Sequence, residues 1–440
     1  MSSGIPVVYG APAEQLSIPF SFLGDEMKSF KGARSVVRSV ASSSGSASAN
    51  SSILFNIPTG GYSYLKSNSV YIRATLVVEQ DASASWGFAG QGVSDDQNFG
   101  GASSLINRIS INIGGQTLTY GQYSTFCNSV LPHVTSAEYY NTDMKQSSFN
   151  GVMKWNSTPS SEAKRTIHFA LPLAVPLFCA SQNLPLFLLN SPMSVEILTE
   201  SVGRALYSNT AGKPVTNYTL RDVSLVYETV EISNEYKQAM LQSKAGQMFS
   251  VHLNNYMSVG PNASTVTMTQ QIGAQFSSLK SVLFTECLAN PASTDRKVCS
   301  SNGLIRYTIF QDNFPVSCSN ADNDAVTYLE LNRAIGKIND SNLTSNIYPV
   351  ANVAETSSRT SYCSHNFLAG ASTSVLSDWS FSQQGTECSS ITLQIEHGTP
   401  DANKWQSATA HSTNYSVYTF LLHDSVLAIN VSDGTTMLRN

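Results

Sequence analysis

Short runs of alternating apolar and polar residues dominate the chain. Ile109, Ile111 and Ile113 alternate with Ser110 and Asn112, the two-residue period of a strand that turns one face toward a core. Gly114-Gly115 then supplies a turn, and Gln116 to Tyr120 returns as the hairpin partner. The same reading predicts strands at 166–173, 186–189, 194–198 and 218–232, and later at 248–253, 277–288, 304–311, 391–396 and 415–431. Helical signals are few. A short helix is expected over 123–130, before Pro132, and another over 234–244, rich in Glu, Lys, Gln, Met and Leu and closed by Gly246. A third runs from Ala325 to Ile338, with Asp324 as its cap and Leu329, Ile335 and Ile338 at helical spacing. Polar stretches at about 135–161 and 339–390 read as long loops, of a length that compact domains usually reserve for interaction.

The pattern is written twice. Leu105 and Asn302, Val195 and Leu393, and Tyr218 and Tyr415 mark matching places in the two runs of elements, with offsets of 197, 198 and 197. A chain of 440 residues exceeds one ordinary core, so two β-rich units are the natural division. The boundaries expected are a flexible N-terminal arm (1–51), a first unit (52–233), a helical connector (234–246) and a second unit (247–440). The arm ends in the Ser-rich run 41–49, which reads as a flexible tether, and carries a basic cluster of Lys28, Lys31, Arg34 and Arg38. Many short strands with regular turn signals, in units of this size, imply an all-β antiparallel sandwich of the jelly-roll kind.

Composition points to assembly. Only 12% of residues are charged while 41% are hydrophobic, so much weakly polar surface is available for burial against neighbours. A net charge of -5 speaks against a surface built wholly to grip nucleic acid. Seven Cys without a C-x-x-C pair leave at least one thiol free and suggest folding in a reducing compartment. The first residues lack a signal-peptide pattern, and the most apolar passage, Phe169 to Phe178, is interrupted by Pro172 and Pro176 and is too short to span a bilayer.

The block Ile109 to Gly121, Leu171-Pro172-Leu173 followed by Asn183-Leu184-Pro185-Leu186, the strand from Tyr218 to Ser233, the stretch Leu329 to Lys337 and the closing Tyr418 to Asp424 resemble the double jelly-roll major capsid proteins. That family comprises coat proteins of tailless icosahedral double-stranded DNA viruses, including large DNA viruses, polinton-like viruses and virophages. The resemblance covers roughly residues 52 to 434 and rests on the order of the pieces across both halves. It implies two consecutive eight-stranded jelly rolls per chain, each with a short helix and a long loop, and three chains forming a pseudo-hexameric capsomer that tiles an icosahedral shell. The implied partners are the chain itself as a homotrimer, neighbouring capsomers, penton and minor capsid proteins, and an internal membrane or genome beneath the shell. The long loops would face outward, toward a host receptor if one is used. Lys28, Lys31, Arg34 and Arg38 would sit on an interior-facing arm. The implied location is the virion, with synthesis and assembly inside the host cell.

Chemistry finds little support. His423 and Asp424 are adjacent on a predicted strand, so their side chains point to opposite faces and form no relay. Cys363 and His365 form the one close Cys/His pair, without a second pair at zinc-like spacing. Asn320, Asp322 and Asp324 resemble the start of a calcium loop, but Ala325 stands where Gly is required and Leu331 where a bidentate Glu belongs. No catalytic set, metal site or cofactor is therefore expected. The rival reading is a carbohydrate-binding β-sandwich, an adhesin or spike, with aromatics clustered on exposed loops.

Overall fold

The computed structural model describes residues 33–61, 63–80, 86–89, 101–134, 166–208, 213–289, 299–317, 321–336, 362–363, 367–374, 376–377, 383–405 and 410–440. The first half contributes strands β1 (Arg34–Ala41), β2 (Ser46–Ser48), β3 (Ser52–Ile57), β4 (Ser63–Leu65), β5 (Tyr71–Gln80) and β6 (Trp86–Phe88). They are followed by β7 (Ile106–Ile113), β8 (Gln116–Tyr120), β9 (Thr166–Pro172), β10 (Leu184–Pro185), β11 (Met193–Thr199), β12 (Leu206–Ser208) and β13 (Val215–Glu231). One sheet has the order β3-β11-β7-β8; the facing sheet has β13 at its centre, with β5 and β9 on one side and β1 and β2 on the other. Alternation decides which face goes inward. Ile53, Phe55 and Ile57 of β3 and Val195 and Ile197 of β11 are buried, as are Tyr218, Leu225 and Tyr227 of β13.

The second half repeats this plan with β14 (Met248–Ala263), β15 (Thr267–Leu288), β16 (Leu304–Gln311), β17 (Phe314–Pro315) and β18 (Ala369–Ser372). It closes with β19 (Leu376–Ser377), β20 (Gln383–Gln384), β21 (Thr386–His397), β22 (Tyr415–Asn430) and β23 (Thr436–Arg439). Strand β15 is 22 residues long and serves both layers. Its first part pairs with β21, and after register shifts between Gly273 and Leu279 its last part pairs with β22 and β18. A strand that bends at irregularities can cross from one layer to the other. In the first half β3 and β5 do these two jobs separately, so each half presents the same two rows. The molecule is an all-β protein of two antiparallel jelly rolls in tandem.

Several expectations need correction. Of the flexible arm expected over 1–51, the described part is paired: β1 runs antiparallel to β13 from Arg34↔Glu231 to Ala41↔Ser224, and within the run 41–49 read as a tether β2 also pairs with β13 and buries Ala47. The edge of β13 offers a row of backbone donors and acceptors, and pairing with it needs no hydrophobic side chains, which is why a Ser-rich segment can serve. Leu186 to Leu188 form a 3-10 turn rather than a strand, buried throughout, so no alternation was available to define a face. The helix at 324 is capped by Asn323, whose side chain accepts a hydrogen bond from the Val326 amide; Asp324 is its first residue, and it ends at Ala334. Its inward face carries Thr327, Leu331 and Ala334, while Leu329 is exposed. The second expected loop is interrupted by β18 to β20, with Phe367, Leu368 and Ala369 in the core. Residues 135–161, and within the second loop 339–361, lie outside the described residues.

A disulfide joins Cys287 to Cys299, where the cysteine pattern suggests folding in a reducing compartment. These two residues face each other across an antiparallel bridge, which brings their Cα atoms within 4.3 Å although twelve residues separate them in sequence. Cys127, Cys363 and Cys388 are buried thiols and Cys179 an exposed one; Cys318 lies outside the described residues.

Candidate assembly surfaces

Two of the four basic residues singled out from the sequence, Lys28 and Lys31, fall outside the described residues. Arg34 and Arg38 project from β1 and are paired on one carboxylate: Arg34 Nε lies 2.6 Å from Glu231 Oε2 and Arg38 Nη2 2.6 Å from Glu231 Oε1. The hydrogen bond from Arg34, backed by both guanidinium charges, holds the Glu231 carboxyl below its ordinary range. Lys66 Nζ on the neighbouring strand lies 2.8 Å from Glu228. The described part of the cluster is thus a ladder of cross-strand ion pairs in which three cations face two carboxylates.

The residues weighed for chemistry are dispersed. His423 is buried against Phe276, with ring centroids 4.3 Å apart, while Asp424 points the other way to Lys280, 2.6 Å away. Asp322 pairs with Lys404 and Asp324 is buried in the first turn of its helix. Asn320 and His365 lie outside the described residues, and among the described residues no group of three His, Cys, Asp or Glu is placed to hold a metal ion. No helix among them is long and apolar enough to cross a membrane.

Two buried polar clusters had no signal in the sequence, because most of their members are far apart in it. Glu286 and His397 have fully buried side chains, with Oε1 2.5 Å from Nε2. His397 Nδ1 also lies 2.7 Å from the Thr265 carbonyl, while Glu286 Oε2 accepts from Ser264 Oγ (2.9 Å) and Asn302 Nδ2 (3.0 Å). In the first roll, buried Glu200 accepts hydrogen bonds from Asn107 and Ser124, both 3.1 Å, and faces Arg204 Nε at 3.7 Å.

Arg204 reaches across the seam between the rolls, where its guanidinium donates to the Tyr418 hydroxyl and lies over that ring at 5.2 Å. The seam is aromatic at its centre. Phe126, on the helix Tyr123–Ser129, stacks on Tyr256 of β14 at 4.0 Å and meets Phe420 of β22 edge-on at 5.6 Å. At its margin the β7–β8 turn seats on β23, where Thr436 Oγ1 donates to the carbonyls of Ile113 (2.9 Å) and Gly114 (3.0 Å). The rolls are therefore joined by packing as well as by the helix Asn234–Ser243.

Two further features lie at the surface. Phe314 is 74% exposed at the β16–β17 turn. A cleft of about 330 Å³ lies beside β4, lined by Pro58, Gly60, Gly61, Arg38, Leu186 and Ile232 among others.

A pair of jelly rolls in one chain, side by side and joined by a packed seam, defines the class: this is the double jelly-roll fold of viral capsid proteins. The PBCV-1 virus capsid protein superposes with a TM-score of 0.58 at 12% identity, covering 94% of this chain and 99% of that one. The protein of the Sputnik virophage structure gives 0.53 at 11%, covering 94% and 91%, and the Faustovirus major capsid protein 0.51 at 8%, covering 92% of each chain. At these identities the likeness is one of fold. No protein-family model and no curated protein sequence matches the chain.

Proposed function

We propose that this chain is a viral major capsid protein whose role is structural rather than enzymatic, and that it trimerises into pseudo-hexameric capsomers that tile an icosahedral shell. The observation that carries the reading is the repetition of one sandwich twice in a single chain with a packed seam between the copies, so that three chains can supply six similar rolls. Low charge supports it, since interfaces made from such a surface desolvate few ions. In this reading the rolls before and after the helix Asn234–Ser243 stand side by side, and the arm carrying Lys28, Lys31, Arg34 and Arg38 faces the interior of the shell. Neighbouring capsomers, penton and minor capsid proteins, and a membrane or genome beneath the shell are its expected contacts, and the virion its location.

The mass in solution tests this directly. Light scattering on the purified full chain should give three times the 47.4 kDa chain mass, or larger shells. A stable monomer at micromolar concentration overturns the reading, and a monomer that binds glycans would favour an adhesin.

A further inference from the structure

The seam inside the chain is a template for a contact between chains. Its margin has two parts, a turn and a seat. The turn is Gly114-Gly115 of the first roll, with both residues left-handed at φ 55 and 87. A Cβ on Gly114 would fall 2.6 Å from Thr436 Oγ1, so turn and seat are in close contact. The seat is β23, which pairs with the end of β22 so that Thr436 stands opposite Ile429.

Each roll carries both parts. In the second roll Asp312 and Asn313 repeat the turn, left-handed at φ 47 and 70 and joining β16 to β17 as Gly114 and Gly115 join β7 to β8. Phe314 follows in the place of Gln116, which is half-buried, while the Phe314 ring is 74% exposed. In the first roll β4 repeats the seat: it pairs with the end of β13, Ser63 opposite Glu231, as β23 pairs with the end of β22. Beside β4 lies the cleft of about 330 Å³. Cavities of ~150 Å³ already admit a benzene ring. Gly60 and Gly61 border it on open space, a Cβ on either meeting nothing within 4 Å. Leu186 and Ile232 give it apolar walls, and Arg38, fixed by Glu231, places a guanidinium where it can lie against an aromatic face.

We propose that Phe314 of one copy inserts into this cleft on the next copy, seating the Asp312–Pro315 turn on β4 as Gly114–Gly115 seats on β23. The inference rests on the self-association proposed above and names the surfaces that perform it. Turn and seat are different patches, so the contact is head-to-tail and runs on from chain to chain until it closes. Because it repeats the seam already present within the chain, seam and contact alternate around one ring, and three chains close it.

The test uses the full chain and two sets of variants. Phe314→Asp alters a side chain that the lone protomer leaves in water, so its circular dichroism, and its melting at concentrations where wild type is also dissociated, should match wild type. Its trimer should dissociate at far higher concentration than wild type, each contact weakening roughly 10- to 100-fold from the lost burial of one phenyl ring. Phe314→Cys combined with Thr59→Cys, a residue of the cleft wall, should give on mild oxidation a covalent ladder up to three chains, absent from either single variant. Wild-type trimers that persist undiminished in Phe314→Asp, with no cross-link in the double-cysteine chain, overturn this contact and leave the capsid reading standing. That outcome also follows if the cleft is filled by the chain's own N-terminal segment. A monomeric wild type overturns both, and is seen before any variant is made.

Discussion

Replacing His397 by Ala is the sharpest test of how the second roll is held together. Both its ring nitrogens face acceptors: the Thr265 carbonyl at 2.7 Å has no proton to give, and the Glu286 carboxylate lies 2.5 Å away. Two acceptors require two N–H donors, so the ring is an imidazolium paired with a carboxylate in a fully buried site. Burial alone would push the His397 pKa down. The hydrogen bond that the ring donates to Glu286, the negative charge of that carboxylate and the Thr265 carbonyl outweigh that and hold it above the ordinary histidine value. Neighbouring His411, stacked at 4.9 Å, is lowered by burial and by the charge of His397, and so stays neutral.

Removing the imidazolium leaves Glu286 buried with only Ser264 and Asn302 to satisfy it. Breaking a buried pair from one side costs about 3–5 kcal/mol. The pH dependence has a definite sign. A group whose pKa is raised on folding contributes stability that is complete below its unfolded value, near 6.5, and is lost as pH rises through the folded value. Guanidinium denaturation of wild type at pH 6 and pH 9 should therefore show a lower midpoint at pH 9. In His397→Ala the midpoint at pH 6 should drop by the equivalent of about 3–5 kcal/mol and the alkaline decline should shrink. An unchanged midpoint at pH 6, or an alkaline decline as steep as that of wild type, refutes the charged-pair account. Glu286→Leu combined with His397→Leu should be less damaging than either single loss, since it removes both charges.

Other consequences follow from the seam and the turns. Phe126→Ala, which removes the ring stacked on Tyr256, should cost about 3–5 kcal/mol in the first unfolding transition and loosen the rolls, detectable as faster amide exchange in β14. Gly303→Ala should cost at least ~2 kcal/mol, because φ is +73 and a Cβ would lie 2.5 Å from the backbone nitrogen of His411; wild-type melting would contradict this. Phe314→Asp should leave the lone protomer's melting unchanged while moving trimer dissociation to far higher concentration, a separation of stability from assembly that light scattering and calorimetry can read side by side.

How much of this was legible in sequence depended on whether the cause was local. Strands β7, β11 and β21 were visible because a two-residue alternation records, within a few positions, which face is buried. The helix Asn234–Ser243 was visible in its composition and in the glycine that follows it. The offset of about 197 exposed the duplication, because two copies of one sandwich need the same elements in the same order. Where the cause was distant, the local pattern misled. Leu329 has helical spacing to Ile335, yet which side of a short helix faces the core is set by where the sheet lies, and it lies beneath Thr327 and Leu331.

Sequence alone determined the all-β class, the tandem arrangement and the scarcity of charge, since each is written in local periodicity, spacing or composition. Tertiary structure decided that the described part of the expected arm pairs as strands, because β13, distant in sequence, supplies both the backbone partners and the Glu231 carboxylate that hold it there. It alone paired Glu286 with His397 across 111 residues, each buried charge being tolerable only beside the other. It also gave one roll a proud aromatic turn and the other an open seat, a complementarity that exists only once both sandwiches are folded and aligned.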